Sequence, residues 1–183
     1  PADWAGDFLA FCKANPKPCP LIAVSEPGEF AMPKLGADID IRTDIASYRI
    51  FEQGQLSGEV NDISDLWRDD LVVFLLGCSF SFEEALIADG LEVRNISEGV
   101  NVPMYRTNTD CTPAGPFVGE MVVSMRPFAP EEALKAVEIS GRFPSVHGEP
   151  IHYANPAEIG IKDINQPDYG NKVSIKEGEH PLF

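Results

Sequence analysis

Gly77-Cys78-Ser79-Phe80-Ser81-Phe82-Glu83-Glu84 packs the end of one element and the start of the next into a few residues. Upstream, from Asp62 or Ser64 onward, Leu66, Trp67, Val73, Phe74 and Leu75 alternate with Arg68, Asp69 and Asp70 at helical spacing, and Gly77 is a natural stop. Downstream, Ser81 and Glu84 stand at the spacing of a capping box, so a second helix is expected to begin there and to close near Asp89-Gly90. A helix end followed at once by a helix start leaves backbone N–H groups free to hold an anion. This turn is therefore the first place to look for chemistry.

Working outward toward the N-terminus, residues 48–51 and 56–60 flank Glu52-Gln53-Gly54 and predict a hairpin. Residues 21–24 form an apolar run closed by Glu26-Pro27-Gly28, which predicts a strand and turn. Trp4, Phe8, Leu9, Phe11 and Cys12 recur at helical spacing before Asn15-Pro16, predicting an amphipathic N-terminal helix. Toward the C-terminus, residues 91–96 are expected to form a strand, and residues 99–119, rich in Pro, Gly, Asn and Thr, a long loop or boundary. Residues 121–125 predict a buried strand. Pro130 then opens a helix with Glu131 and Glu132 in its first turn, ended by Gly141. Residues 150–153 and 172–175 are read as strands. His180, near the last residue, is expected to be disordered. The absence of an initiator Met and the apolar ending at Phe183 are read as signs of further chain.

The chain has 183 residues, enough for one domain or two small ones with a real core. A net charge of −15 is the wrong sign for gripping a phosphate backbone or an anionic membrane. Nucleic acid and membrane are therefore excluded as partners, and a small anionic metabolite must be held by a few local groups. The longest apolar run, residues 71–76, is far short of the roughly 20 residues that span a bilayer. The start carries no basic and apolar leader pattern, and Cys12, Cys19, Cys78 and Cys111 form neither a Cys-x-x-Cys pair nor a zinc spacing. A reducing cytoplasm is expected.

Six residues carry candidate chemistry. Cys78 lies where a helix N-terminus would lower a thiol pKa, with Ser79 beside it as a donor to a substrate carboxylate. The competing reading is a packed cysteine next to an ordinary cap. Arg106 and Asn108 fall in Pro103-Met104-Tyr105-Arg106-Thr107-Asn108, where Arg106 offers a carboxylate fork or is simply a surface arginine. Arg126 follows an apolar strand, at a position suited equally to ligand binding and to structural pairing. His147 and His152 would face opposite sides of a regular strand, so His147 reads as a general base or acid rather than a metal ligand. No Gly-rich phosphate loop, Gly-x-Ser-x-Gly elbow or His-Glu-x-x-His is present.

The segments Asn15-Pro16-Lys17-Pro18-Cys19-Pro20, Arg42-Thr43-Asp44, Asp65-Leu66-Trp67-Arg68-Asp69-Asp70-Leu71 and Gly77-Cys78-Ser79-Phe80-Ser81-Phe82-Glu83 recur in order with four more. These are Asn101-Val102-Pro103-Met104-Tyr105-Arg106-Thr107-Asn108, Ser124-Met125-Arg126-Pro127, Arg142-Phe143-Pro144 and His147-Gly148. Together they resemble the D-glutamate cyclase family over nearly the whole chain. The resemblance implies an α/β architecture: a three-layer αβα domain with a smaller two-layer α+β inserted domain. On this sequence the main domain would be residues 1–97 continued by 154–183, and the insert residues 98–153. Family chains continue through a Trp-Ala-Cys-Gly-Val-Thr-Pro segment and a Thr-His-x-Pro-Gly-His segment, neither of which is present. Those segments look like a second copy of the turn around Cys78.

The implied activity is that of a hydro-lyase closing D-glutamate to 5-oxo-D-proline with loss of water. The amine must lose a proton, an oxyanion must be stabilised and an oxygen must leave. The expected assignments are Arg106, Asn108 and Arg126 for substrate binding, with Asn108 and Ser79 also donating to the oxyanion. Ser79, His147 and Cys78 form the catalytic group, with His147 as base or acid and Cys78 as an alternative nucleophile through a thioester. Resemblance to mammalian members implies a divalent cation such as manganese, although the sequence offers no ligand cage. A binding protein for a small carboxylate, or a hydro-lyase acting on a different hydroxy acid, would use the same residues. Homo-oligomerisation is left open.

Overall fold

A computed structural model describes residues Pro1–Phe183. The architecture is mixed α/β, with short helices and four two-stranded sheets. The chain divides into two compact units, one formed by residues 1–6 and 23–75 and the other by residues 7–22 and 76–183. No helix is long and apolar enough to cross a membrane.

Helix α1 (Ala2–Ala14) forms as its apolar spacing predicts. In the first unit, β2 (Tyr48–Glu52) and β3 (Gln55–Val60) pair antiparallel from Tyr48↔Val60 to Glu52↔Gln55. The turn between them puts Gln53 and Gly54 at φ of 50° and 79°, the left-handed pair that matches the twist of a two-residue hairpin. Nearby, the Arg42 guanidinium lies 3.4 Å over the Phe30 ring and pairs with Asp40 at 2.6 Å. The expected helix upstream of Gly77 does not form. Ser64–Leu66 makes one 3-10 turn, and Phe74–Leu76 is strand β4, in a sheet with β1 (Leu21–Val24). The Val73 carbonyl accepts from the Ser25 N–H, and the Ser25 hydroxyl accepts from the Val73 N–H. Such a ladder satisfies the backbone of β-branched residues better than a helix would, and a distant partner overrides local spacing.

The second unit holds the main core. Phe82, Leu86, Leu91 and Val93 pack with Phe128, Ala133, Ala136, Ile139 and Leu182. Helices α2 (Glu83–Ala88) and α4 (Pro130–Gly141) supply much of this cluster. Pro130 stands in the first turn of α4, and the Glu132 carboxylate accepts from the Ala129 N–H. A second cluster joins Tyr105, Val123 and Met125 to Ile159, Ile161 and Phe183. Both clusters join residues inside 98–153 to residues outside it.

Several local expectations are corrected here. Ser81 lies inside the 3-10 turn Ser79–Phe82, and Phe82 occupies the N-cap of α2. The Ser81 N–H is already taken by the Cys78 carbonyl at 3.1 Å, so no capping box forms. Residues 91–96 are not a strand: Arg94–Ser97 is a helical turn, α3, because buried Arg94 turns back to Glu92 and across to Glu179 at 2.6 Å. Part of the expected loop at 99–119 is strand β5 (Met104–Asp110), which pairs with β6 (Glu120–Ser124) through Tyr105↔Val123 and bulges after Arg106. Residues 150–153 and 172–175 form no strands. Instead Ile151 and His152 exchange backbone hydrogen bonds with Phe183. His180 opens β8 (His180–Leu182), opposite Phe128 of β7 (Arg126–Phe128).

Candidate functional site

Three sequence-distant segments converge because each is held by a polar or steric device. Asn15, which follows α1, is buried. Its amide donates to the carbonyls of Phe11 and Thr112, both at 2.8 Å, and its Oδ1 accepts from the Thr112 N–H at 2.7 Å. This pins the Pro16-Lys17-Pro18 turn. Gly77 donates to the Pro20 carbonyl at 2.8 Å, and a Cβ at Gly77 would run into the Ser145 carbonyl and Val146. Only glycine lets the backbone before Cys78 pass so close to the turn that carries His147.

The result is a cavity of about 310 Å³ whose polar wall includes Lys17, Cys78, Ser79, Ser124, Arg126 and His147, with Met104, Phe128 and Leu182 among its apolar residues. His147 caps the 3-10 turn Pro144–Val146 with φ of 83°, a conformation rare outside glycine. Its Nδ1 lies 2.8 Å from the Lys17 carbonyl. A carbonyl only accepts, so Nδ1 carries the proton and Nε2 is the basic nitrogen. Lys17 answers with its ammonium, donating to the carbonyls of His147 at 3.1 Å and Glu149 at 2.5 Å. Cys78 is exposed in extended backbone just before the Ser79–Phe82 turn, while Ser79 is buried.

Arg126 is 5% exposed and its charge is met inside the protein. Nε and Nη2 both donate to Glu83 Oε1, at 3.0 and 2.5 Å. Nη1 donates to Ser124 Oγ at 3.1 Å and Nη2 to Ser79 Oγ at 3.3 Å. Burial pushes the guanidinium pKa down and the Glu83 carboxylate opposes that shift. Asn95 Nδ2 adds a third donor to Glu83 Oε1 at 3.3 Å, while its own buried Oδ1 has no partner. Arg126 thus holds two serines on the cavity wall while its own charge is paired internally.

Arg106 and Asn108 line a different cavity, of about 540 Å³, with Tyr105, Asp163 and Asp168. Arg106 donates from Nε and Nη2 to Tyr169 Oη at 3.2 and 2.8 Å, and its backbone N–H donates to Asp168 at 2.8 Å. Asn108 packs against Gly160. Cys78, Ser79, Arg126 and His147 are brought together, and Arg106 and Asn108 are not among them.

The family model described as D-glutamate cyclase matches residues 72–183, a range that includes Cys78, Ser79, Arg126 and His147 of the first cavity but not Lys17. The chain belongs to the D-glutamate cyclase family. It is 62% identical over 183 residues, its full length, to a Bordetella petrii protein named "Putative hydro-lyase", covering 69% of that relative. A Bordetella pertussis protein with the same designation is 60% identical over 98% of this chain and 65% of its own length. One from Rhizobium johnstonii is 59% identical over the whole chain and 68% of its own length. The chain therefore spans about two thirds of the length of these relatives.

Within this D-glutamate cyclase family chain, Lys17, Glu83 and Ser124 belong to the candidate site, and their local sequence does not mark them. In the sequence Lys17 is a lone cation between two prolines. Glu83 reads as an ordinary acid in a helix first turn, and nothing local signals that it is buried against Arg126. A divalent cation such as manganese does not fit the residues present. Nowhere do three His, Cys, Asp or Glu side chains converge, and His152 Nε2 is engaged by the Asn155 carbonyl at 2.7 Å.

Proposed function

We propose that this protein is a hydro-lyase that cyclises D-glutamate to 5-oxo-D-proline and water, with the chemistry in the cavity shared by Cys78, Ser79 and His147. The observation that carries this reading is the His147 ring. Its Nδ1–H is fixed on the Lys17 carbonyl, so its Nε2 is kept as a base in a cavity with a buried serine. Membership of the family and the hydro-lyase designation of its relatives support the reaction class.

In this mechanism His147 Nε2 takes a proton from the α-ammonium of D-glutamate. The freed amine attacks the γ-carboxyl carbon, forming the C–N bond. Ser79 Oγ accepts from Arg126, which leaves its own hydrogen to donate to the oxyanion of the tetrahedral intermediate. The two hydrogens given up by nitrogen pass through His147, one at a time, to the departing oxygen. The C–O bond then breaks and water leaves. Arg126 is a positioning residue that acts through Ser79 and Ser124. Cys78 offers a second route to the same product: its sulfur joins the γ-carbon with loss of water, and the amine then displaces the thiolate.

The longer chains of the family would complete a three-layer αβα domain with a two-layer insert at residues 98–153, in a reducing cytoplasm that leaves the four cysteines free. The test is to incubate the full-length protein separately with D- and L-glutamate, with and without manganese, and to follow 5-oxoproline by chromatography. Product from the D isomer alone is expected. A folded protein that makes none under any of these conditions overturns the cyclase reading and shifts weight to another hydro-lyase substrate.

A further inference from the structure

Resting on the reading above, which requires a carboxylate substrate in the Cys78–His147 cavity, we propose that Lys17 is the carboxylate anchor of that cavity. Two arginines were the natural candidates for this role, and neither is suited to it in the folded protein. Arg106 lines the other cavity, where it is bonded to Tyr169. Arg126 reaches the right cavity, but both its Nε and Nη2 are committed to Glu83 and its charge is matched at 2.5 Å. A buried arginine already paired with a carboxylate presents little net positive potential to a second one.

Lys17 differs on each count. Its ammonium is bound to two carbonyl oxygens, those of His147 and Glu149, and none of the ion pairs in the protein includes it. Carbonyls orient the ammonium without neutralising it. Two of its three donors are used in this way and the third is left for a ligand. The half-buried side chain lies between two prolines, whose fixed φ angles limit the freedom of the turn, and Asn15 pins the turn from below. In a chain of net charge −15, an unneutralised cation on a cavity wall is the local feature that makes the cavity attractive to an anion. The one carboxylate among the lining residues is that of exposed Glu149, which offers Lys17 its carbonyl rather than its side chain.

The same residue also explains how binding and base could be matched. Lys17 holds the His147 ring through its carbonyl and would hold the substrate through its ammonium. One residue thereby sets the distance between the anchored carboxylate and the nitrogen that takes the proton.

The probe is glutarate, which carries both carboxylates of glutamate but has no amine and cannot cyclise. Its binding and that of D-glutamate are measured by calorimetry on the full-length wild type, Lys17→Met and Lys17→Arg, with uncharged glutaramide as the control. Loss of one charge-assisted contact predicts about ten- to hundredfold weaker glutarate binding in Lys17→Met, with most of the affinity kept in Lys17→Arg. Glutaramide should not distinguish the three proteins. Unchanged glutarate affinity in Lys17→Met overturns the assignment, as does a wild type that binds neither carboxylate. Glutarate binding that depends on Lys17, without any binding of D-glutamate, keeps the anchor and removes D-glutamate as the substrate.

Should Lys17→Met fail to fold, the wild type still decides. Reductive methylation read by mass spectrometry should slow at Lys17, and at no other lysine, when glutarate is present. Equal labelling of Lys17 with and without saturating glutarate sinks the proposal.

Discussion

His147 Nδ1 stands 2.8 Å from the Lys17 carbonyl, and the Lys17 ammonium stands 3.1 Å from the His147 carbonyl. This reciprocal pair bridges residues 130 positions apart in sequence. It fixes which imidazole nitrogen is basic and holds a backbone conformation at φ of 83° that histidine rarely adopts.

Replacing His147 with Asn keeps a side-chain donor near the Nδ1 position for the Lys17 carbonyl, tolerates the positive φ, and removes the base. Turnover of D-glutamate is expected to fall by about 10²- to 10⁴-fold, with KM changed far less, because the interaction lost belongs to proton transfer. Steady-state kinetics separates the two. A variant that raises KM and spares kcat would show His147 to be a binding residue.

For Cys78, direct attack by the amine predicts that Cys78→Ala retains near-normal turnover. Loss of turnover in a folded Cys78→Ala protein would assign the thioester route instead. The same thiol should be the first to be alkylated, since it is exposed. Burial pushes the Cys12 and Cys111 thiols up, and it raises Cys19 to about 11 with neighbouring sulfurs adding to the shift. Timed labelling with iodoacetamide at neutral pH, read by mass spectrometry, checks this order.

Removing one side of the buried Arg126–Glu83 pair leaves the other charge without compensation. Arg126→Met is expected to lose roughly 3–5 kcal/mol of stability in urea titration, and Arg126→Met combined with Glu83→Leu to recover much of it. If the double variant were no more stable than the single, the cost would lie in lost packing around Phe82, over which the guanidinium sits at 5.2 Å.

Acid should loosen the second unit through Glu92. Hydrogen bonds from Lys176, Ser97 and Arg94 lower its carboxyl from 4.5 to about 2. Because the folded-state value lies below the unfolded one, its stabilising contribution is present above pH 4.5 and is lost as pH falls toward 2. Thermal melts of wild type and Glu92→Gln should therefore differ at neutral pH, draw together as pH falls below 4.5, and converge only at about pH 2 and below, where Glu92 protonates in the folded protein. A gap that persists at low pH would mean that the network is held by contacts other than the Glu92 charge.

Local sequence was enough for elements whose stability is local. Helix α1, the β2–β3 hairpin at Gln53-Gly54 and helix α4 behind Pro130 follow from spacing, turn chemistry and caps within a few residues. Residue type alone also draws attention to Gly77-Cys78-Ser79 and to His147, which the fold brings to one cavity. What only the tertiary structure decided depends on partners far along the chain. Val73 becomes part of a ladder because Ser25 is there to pair with it, and Glu83 is buried because Arg126 arrives from 43 positions away. The separation of Arg106 from Cys78 and the entry of Lys17 into the cavity arise in the same way. A long-range hydrogen bond or ion pair outweighs a local preference of a few tenths of a kcal/mol, and no window of sequence contains both of its ends.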